Sequence, residues 1–209
     1  MSDNAKNILE WVYCIIIALI LALLFRYFIA TPTIVKQRSM FPTLKENQRL
    51  ILNRTKRITG KEPEVGDIIT FEAPSMAYDM LNVDQKNPVA KYEKKSRGIL
   101  SKFAYYVLEI TKTSYIKRVI ATEGQHVVIK DGKVYINSVE FKEDYLQPDV
   151  VTESNVFNDF IVPEGYVFAM GDNRTKSTDC RELGCVPIDK IEGIVSFRFW
   201  PLNCFGSID

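Results

Sequence analysis

The chain has 209 residues, 46% hydrophobic and 25% charged, and its 27 Lys and Arg against 26 Asp and Glu leave a formal charge of +1. That balance supplies neither the basic excess of a nucleic-acid binder nor an acidic tail, so no nucleic acid is expected as a partner. One histidine and four cysteines, in neither a paired CxxC pattern nor a dense disulfide framework, argue against a metal site, and no cofactor is expected.

Residues 11–30 form the first element, an apolar run of 20 residues whose one charge is Arg26. As a helix it would rise roughly 30 Å, about one hydrocarbon thickness. Arg26 can snorkel to the interface, and Trp11, Tyr13 and Tyr27 suit the headgroup region. A buried core helix is the first alternative, but a domain of this size would not cover so long a run on all sides. A cleaved signal peptide is the second, yet Asp3 and Glu10 oppose Lys6 in the leading segment, and residues 28–32 offer no small-x-small site. The run therefore reads as a retained anchor in a lipid bilayer, after a short tail (1–10) and before one folded domain (31–209). Charge alone leaves its orientation open. Lys36 and Arg38 follow the run and only Lys6 and the terminal amine precede it, but long folded domains translocate largely regardless of charge.

The remainder reads as mainly β. Short β-branched or aromatic runs bounded by turn residues predict strands at 33–36, 50–53, 67–71, 115–121, 127–130, 133–137, 166–170 and 191–199. Asp131-Gly132 suits a type I′ turn joining two of them. Helical spacing recurs only at Ile99, Leu100, Phe103, Val107 and Ile110, whose apolar face is expected to pack within the domain, with the membrane surface as the alternative. That helix lies in a stretch, 74–114, which includes the charged run 91–97 and reads as an insertion.

The chemistry centres on Ser39, in Ser39-Met40-Phe41-Pro42-Thr43-Leu44, close behind the anchor. Met40 and Phe41 are apolar enough for the lipid boundary or for the core. A serine nucleophile needs a base. His126 is the chain's one imidazole, but its place at the start of a hairpin strand reads as an exposed or satisfied histidine. A neutral lysine can serve instead. Lys117 is the best candidate, because strand alternation puts it on one face with Tyr115 and Val119, although by itself it reads first as an edge or surface charge. The polar stretch 171–181 follows the apolar strand at 166–170 and reads as a turn or as hydrogen-bonded support, where Asp179 and Arg181 can form a bidentate pair. Cys180 and Cys185 are close enough in sequence to bridge a short loop in an oxidising space, while Cys14 lies in the anchor.

In order along nearly the whole chain, the anchor, residues 39–44, Gly66-Asp67-Ile68-Ile69-Thr70-Phe71, Lys117-Arg118-Val119-Ile120, and Gly171 to Arg181 with Gly184 resemble the type I signal peptidases, membrane-anchored serine proteases that remove leader peptides. The resemblance implies a β-rich catalytic domain outside the plasma membrane with the N-terminus in the cytoplasm, and preproteins bearing signal peptides as substrates. It implies Ser39 as nucleophile, Lys117 as general base, Ser177 orienting the lysine amine, and Asp179 with Arg181 as a structural ion pair near the site. Extended leader segments would add to a strand edge, with the strand at 33–36 as a wall of two shallow pockets. Gln37 stands where the family usually has Ser or Gly, so Gln37 and the Ser39 N–H are the candidate oxyanion donors. Residues 121–125, Ala-Thr-Glu-Gly-Gln, replace the usual Gly-x-Pro-Gly-Asp, and Cys180 replaces a common Ser. A self-processing Ser/Lys hydrolase and a catalytically dead leader-binding module are the rival readings.

Overall fold

A computed structural model describes residues 3–75, 84, 87–93, 98–110 and 112–208. Its first element, α1 (Asp3–Phe28), contains an apolar stretch, Lys6–Phe28, long enough to cross a membrane and left uncovered by the rest of the chain. The helix starts at Asp3 and stops at Phe28, because Ala30 already pairs with Asn53 in a sheet.

The chain then forms β1 (Ala30–Ile34), β2 (Arg49–Asn53), the short helix α2 (Lys56–Thr59), β3 (Ile68–Glu72), α3 (Ile99–Tyr106), β4 (Ser114–Thr122), β5 (His126–Lys130), β6 (Lys133–Ile136) and β7 (Val139–Glu140). After these come β8 (Asp159–Ile161), β9 (Tyr166–Met170), α4 (Cys180–Leu183), β10 (Val186–Pro187), β11 (Ile191–Trp200) and β12 (Gly206–Ser207). The larger sheet runs β1-β2-β11-β3-β4-β9-β10, with β12 also paired to β11, and the smaller runs β7-β6-β5-β8. All of these strand pairings are antiparallel. Mainly antiparallel β with an N-terminal helix of membrane-spanning length is the fold class read from the sequence.

Local chemistry explains the clearest elements. Asp131 and Gly132 both take positive φ, 52° and 77°, as a type I′ turn requires, and set Lys130 opposite Lys133. β1 begins three residues before the expected strand because Pro32, which cannot donate to a ladder, sits in an edge strand where no second neighbour needs its N–H. The short strands β7, β8, β10 and β12 carry too few residues for alternation to reveal them.

Two cores result. One joins the sheets through Ile69, Phe71, Val119, Phe157, Phe160 and Phe168, among others. The second packs Val35, Met40, Leu44, Leu50, Leu52, Ile68 and Val195 beneath the turn that carries Ser39. Met40 is therefore a core residue, and the lipid-boundary alternative for it fails.

The stretch read as an insertion is described only in part, and residues 94–97 of its charged run lie outside the described residues. Its helix, α3, differs from expectation. Ile99 and Leu100 are 88% and 85% exposed, and Phe103, Tyr106 and Ile110 are also exposed. The contact with the domain runs instead through buried Tyr105, whose hydroxyl donates to Glu72 Oε1 at 2.8 Å.

Gly193 marks where β11 crosses tightly between β2 and β3. A Cβ there would lie 2.4 Å from the Asn53 carbonyl oxygen and 2.9 Å from Leu52 Cγ. Gly193→Ala is expected to destabilise the protein by about 1–3 kcal/mol through overpacking. A thermal midpoint for detergent-solubilised protein equal to that of the parent would refute this.

Candidate active site

Ser39 lies in the turn that follows β1. Buried Met40 and Leu44 root that turn, with the Leu44 N–H donating to the Met40 carbonyl at 2.8 Å. Two bonds between Val35 and the segment before β2, to Gln48 O and from Asn47 N, each 2.9 Å, close its base.

Lys117 comes from the middle of β4, directly opposite Ile69 of β3. Its Nζ and Ser39 Oγ are hydrogen-bonded at 2.8 Å, and the amine lies 5.3 Å from the centre of the Tyr115 ring. Lys117 is 1% exposed and Ser39 8%. Burial, the dominant cause, pushes the amine down from its ordinary 10.5 to about 8. Asp179, Cys180 and Asp172 pull it back up, and Arg181 adds to the lowering.

The two nearby buried carboxylates are committed elsewhere. Asp172 is held in a two-pronged pair by Arg118, at 3.1 and 3.0 Å, and accepts from the Thr43 hydroxyl at 2.5 Å. Asp179 is gripped by Arg181 at 2.8 and 2.9 Å and accepts from the Gly171 N–H at 2.9 Å. Burial would raise the Asp179 carboxyl, but the guanidinium and the N–H outweigh it and hold the pKa below the ordinary 3.8. Lys117 therefore has a neutral hydroxyl as its hydrogen-bond partner and, among the described residues, no carboxylate of its own.

The loop at 171–181 also grips the turn that bears Ser39. The Asn173 N–H donates to the Ser39 carbonyl and its side-chain amide to the Arg38 carbonyl, both at 3.0 Å. Arg181 bonds the carbonyls of Arg174 and Ser177 at 2.7 and 3.3 Å, and Arg174 pairs with Glu143, so the loop is tied from inside and from behind. These ties were not read from the sequence. Gly171-Asp172-Asn173 is a weak turn signal by itself, and no spacing rule links Asp172 to Arg118 or to Thr43.

The other candidates are placed differently. Ser177 is buried beside Gly171, and its Oγ does not bond Lys117; its hydroxyl helps instead to hold the Asp179 carboxyl low. Gln37 is exposed at the rim of a cleft of about 360 Å³ that reaches Ser39. His126 lies in the smaller sheet, where its Nε2 is 2.7 Å from Asp159 Oδ1. Cys180 and Cys185 are free buried thiols, not a bridge. Burial pushes Cys180 up to about 12 and raises Cys185 as well. No group of residues suited to a metal ion occurs among the described residues.

The site is thus a serine hydroxyl against a buried lysine in a sheet-built domain behind an apolar helix. The family described as "Signal peptidase, peptidase S26" matches residues 8–200, and the chain belongs to it. It is accordingly a serine peptidase. Signal peptidase I T of Bacillus subtilis (strain 168) is 33% identical, over 97% of this chain and 90% of that protein. Signal peptidase I of Bacillus licheniformis is 35% identical, over 97% and 94%. Thylakoidal processing peptidase 1, chloroplastic, of Arabidopsis thaliana is 32% identical over 88% of this chain, which spans 46% of that relative's length. The crystal structure of a signal peptidase I from Enterococcus faecalis V583 aligns with a TM-score of 0.40 at 28% identity, covering 64% of this chain and 97% of that one.

Gly171 gives the site its most direct test of packing. A Cβ on it would fall 2.2 Å from Ser177 Oγ and 2.4 Å from the Ser39 carbonyl oxygen, so either the Ser39 turn or the supporting loop must shift. Gly171→Ala is expected to cut kcat about 100-fold or more, since misplacement by about 1 Å carries that cost. Unchanged kcat would show that the contact does not set the position of Ser39.

Proposed function

We propose that this signal peptidase family member cleaves N-terminal leader peptides from exported preproteins with Ser39 as nucleophile and Lys117 as general base. The observation that carries the reading is the 2.8 Å contact between Nζ and Oγ at a buried amine. With the amine neutral, its lone pair takes the Oγ proton as Oγ attacks the scissile carbonyl. The resulting ammonium then protonates the leaving amine, and a water activated by the same lysine releases the acyl group.

The Ser39 N–H donates to no described group and is available to the oxyanion, with the Gln37 amide on the cleft rim as the second donor. Ser177, whose buried hydroxyl helps hold Asp179 ionised, would bond the amine by rotating toward it once substrate enters. The Asp179–Arg181 pair holds the loop that supports both groups.

Substrate would bind as an added strand. Thr31, Pro32, Thr33 and Ile34 of β1 line the cleft on one side, and Ser114, Tyr115 and Ile116 of β4 line it on the other. Both edges have backbone to offer. β1 pairs with β2 alone, and β4 meets β9 only from Arg118 onward. With α1 as a single-pass anchor in the plasma membrane, N-terminus in the cytoplasm, the domain would work at the outer bilayer surface, where leader peptides emerge.

Cleavage of a synthetic leader peptide separates this reading from a dead binding module and from a hydrolase with another nucleophile. Ser39→Ala is expected to lower kcat by about 10³-fold or more. Lys117→Arg should do the same, because a guanidinium stays charged at working pH. Substantial turnover by the alanine variant would exclude Ser39 as nucleophile.

The pH profile has a definite sign. The base works only when deprotonated, so kcat should be low in acid, rise through about pH 8 and level off above it. A flat profile from pH 6 to 10 would remove Lys117 as the base (pH limits of about two units either side).

A further inference from the structure

Among the described residues, a polar joint fastens the end of the anchor to the domain. Arg26, near the C-terminal end of α1, donates from Nη2 to the Leu108 carbonyl at 3.3 Å and to Glu109 Oε2 at 3.2 Å. Glu109 also accepts from the buried Arg54 of the segment after β2, at 2.5 Å. Arg57 of α2 completes the joint, donating to the Tyr27 carbonyl at 2.8 Å and stacking 4.3 Å from that ring's centre. The segment just after α3 is thus fixed to the residues where α1 ends.

This joint places α3. The helix ends at Tyr106, two positions before Leu108, and is about 12 Å long, so all of it stays near the anchor's exit. Toward the outside it turns Ile99, Leu100, Phe103 and Tyr106, the reverse of a helix packed on a core. Lys102 is exposed among them, and the sequence leading in carries Lys94, Lys95 and Arg97. Apolar side chains around the exposed Lys102, held at the level of an anchor's end, suit an anionic bilayer surface.

We propose that α3 is a second membrane contact, an interfacial foot whose apolar face rests in the headgroup region beside α1. The proposal rests on the reading of α1 as the anchor. Two attachment points, one spanning and one lying on the surface, remove the domain's freedom to swivel about the anchor. The cleft is held by the same joint, since Arg26, Arg54 and Glu109 all line it. The foot would therefore fix the angle at which the cleft meets a leader peptide in the bilayer.

The test uses the full-length protein in vesicles of phosphatidylcholine with phosphatidylglycerol, labelled with an environment-sensitive fluorescent maleimide. Cys14, exposed on α1, reports the anchor in a Cys204→Ser background, since Cys180 and Cys185 are buried. Leu100→Cys and Phe103→Cys, each with Cys14→Ser and Cys204→Ser, report the foot at two independent positions. Val139→Cys in that same background is the control, being 70% exposed on β7 of the smaller sheet. Brominated lipid is expected to quench the labels at 14, 100 and 103 and to spare the label at 139. Quenching at 14 with positions 100 and 103 behaving like 139 would overturn the foot and leave the anchor standing. Labels at 100 and 103 shielded from aqueous iodide yet unquenched by brominated lipid would mean that a second protein copy covers the helix, which also overturns it. Quenching at 139 equal to that at 103 would make the contact nonspecific and refute the proposal, and no quenching at 14 would remove the anchor and the foot together.

Discussion

A lysine ammonium with 1% exposure and no carboxylate partner among the described residues is an expensive group to keep charged, and the interior around Ser39 is organised about that cost. Losing the proton removes it. The amine that results is a base in contact with a hydroxyl. In the proposed mechanism the site would obtain from burial what other hydrolases obtain from an imidazole, and His126 lies out on the smaller sheet.

Keeping the lysine without a counterion requires that the nearby carboxylates be occupied. Arg118 takes Asp172 and Arg181 takes Asp179, each with two prongs, and the Asp179 carboxyl is held below its ordinary pKa. The same pairs shape the loop at 171–181, which carries bonds to the carbonyls of Arg38 and Ser39. Electrostatics and positioning are therefore one structure. A change that freed Asp179 from Arg181 would alter both the charge of the lysine and the place of the serine.

The residues that read correctly from sequence were those whose signal is local. β9 matched at both ends because an apolar run stands between a glycine turn and the polar loop, and the Asp131-Gly132 hairpin follows from the φ its two residues tolerate. Lys117 beside Tyr115 and Val119 follows from strand alternation. What was not legible depends on long-range pairing: Asp172 with Arg118, Thr43 with Asp172, and Asn173 with the Ser39 carbonyl join segments that no periodicity links. α3 misled for a different reason. Spacing shows that a helix has an apolar face but not which way it turns, and here Tyr105 alone faces inward while the stripe faces out.

The proposed mechanism depends on the ionisation of one side chain, which can be observed without turnover. Titration of the Lys117 side chain by NMR, in detergent-solubilised protein carrying isotope-labelled lysine and assigned by comparison with the Lys117→Arg variant, reads it directly. A midpoint near 8 is expected; burial lowers Lys56 to about 8 as well, so the resonance that disappears in Lys117→Arg is the one that decides. A midpoint at or above the ordinary 10.5 would mean that the amine is a cation at working pH, and the mechanism built on it would be wrong.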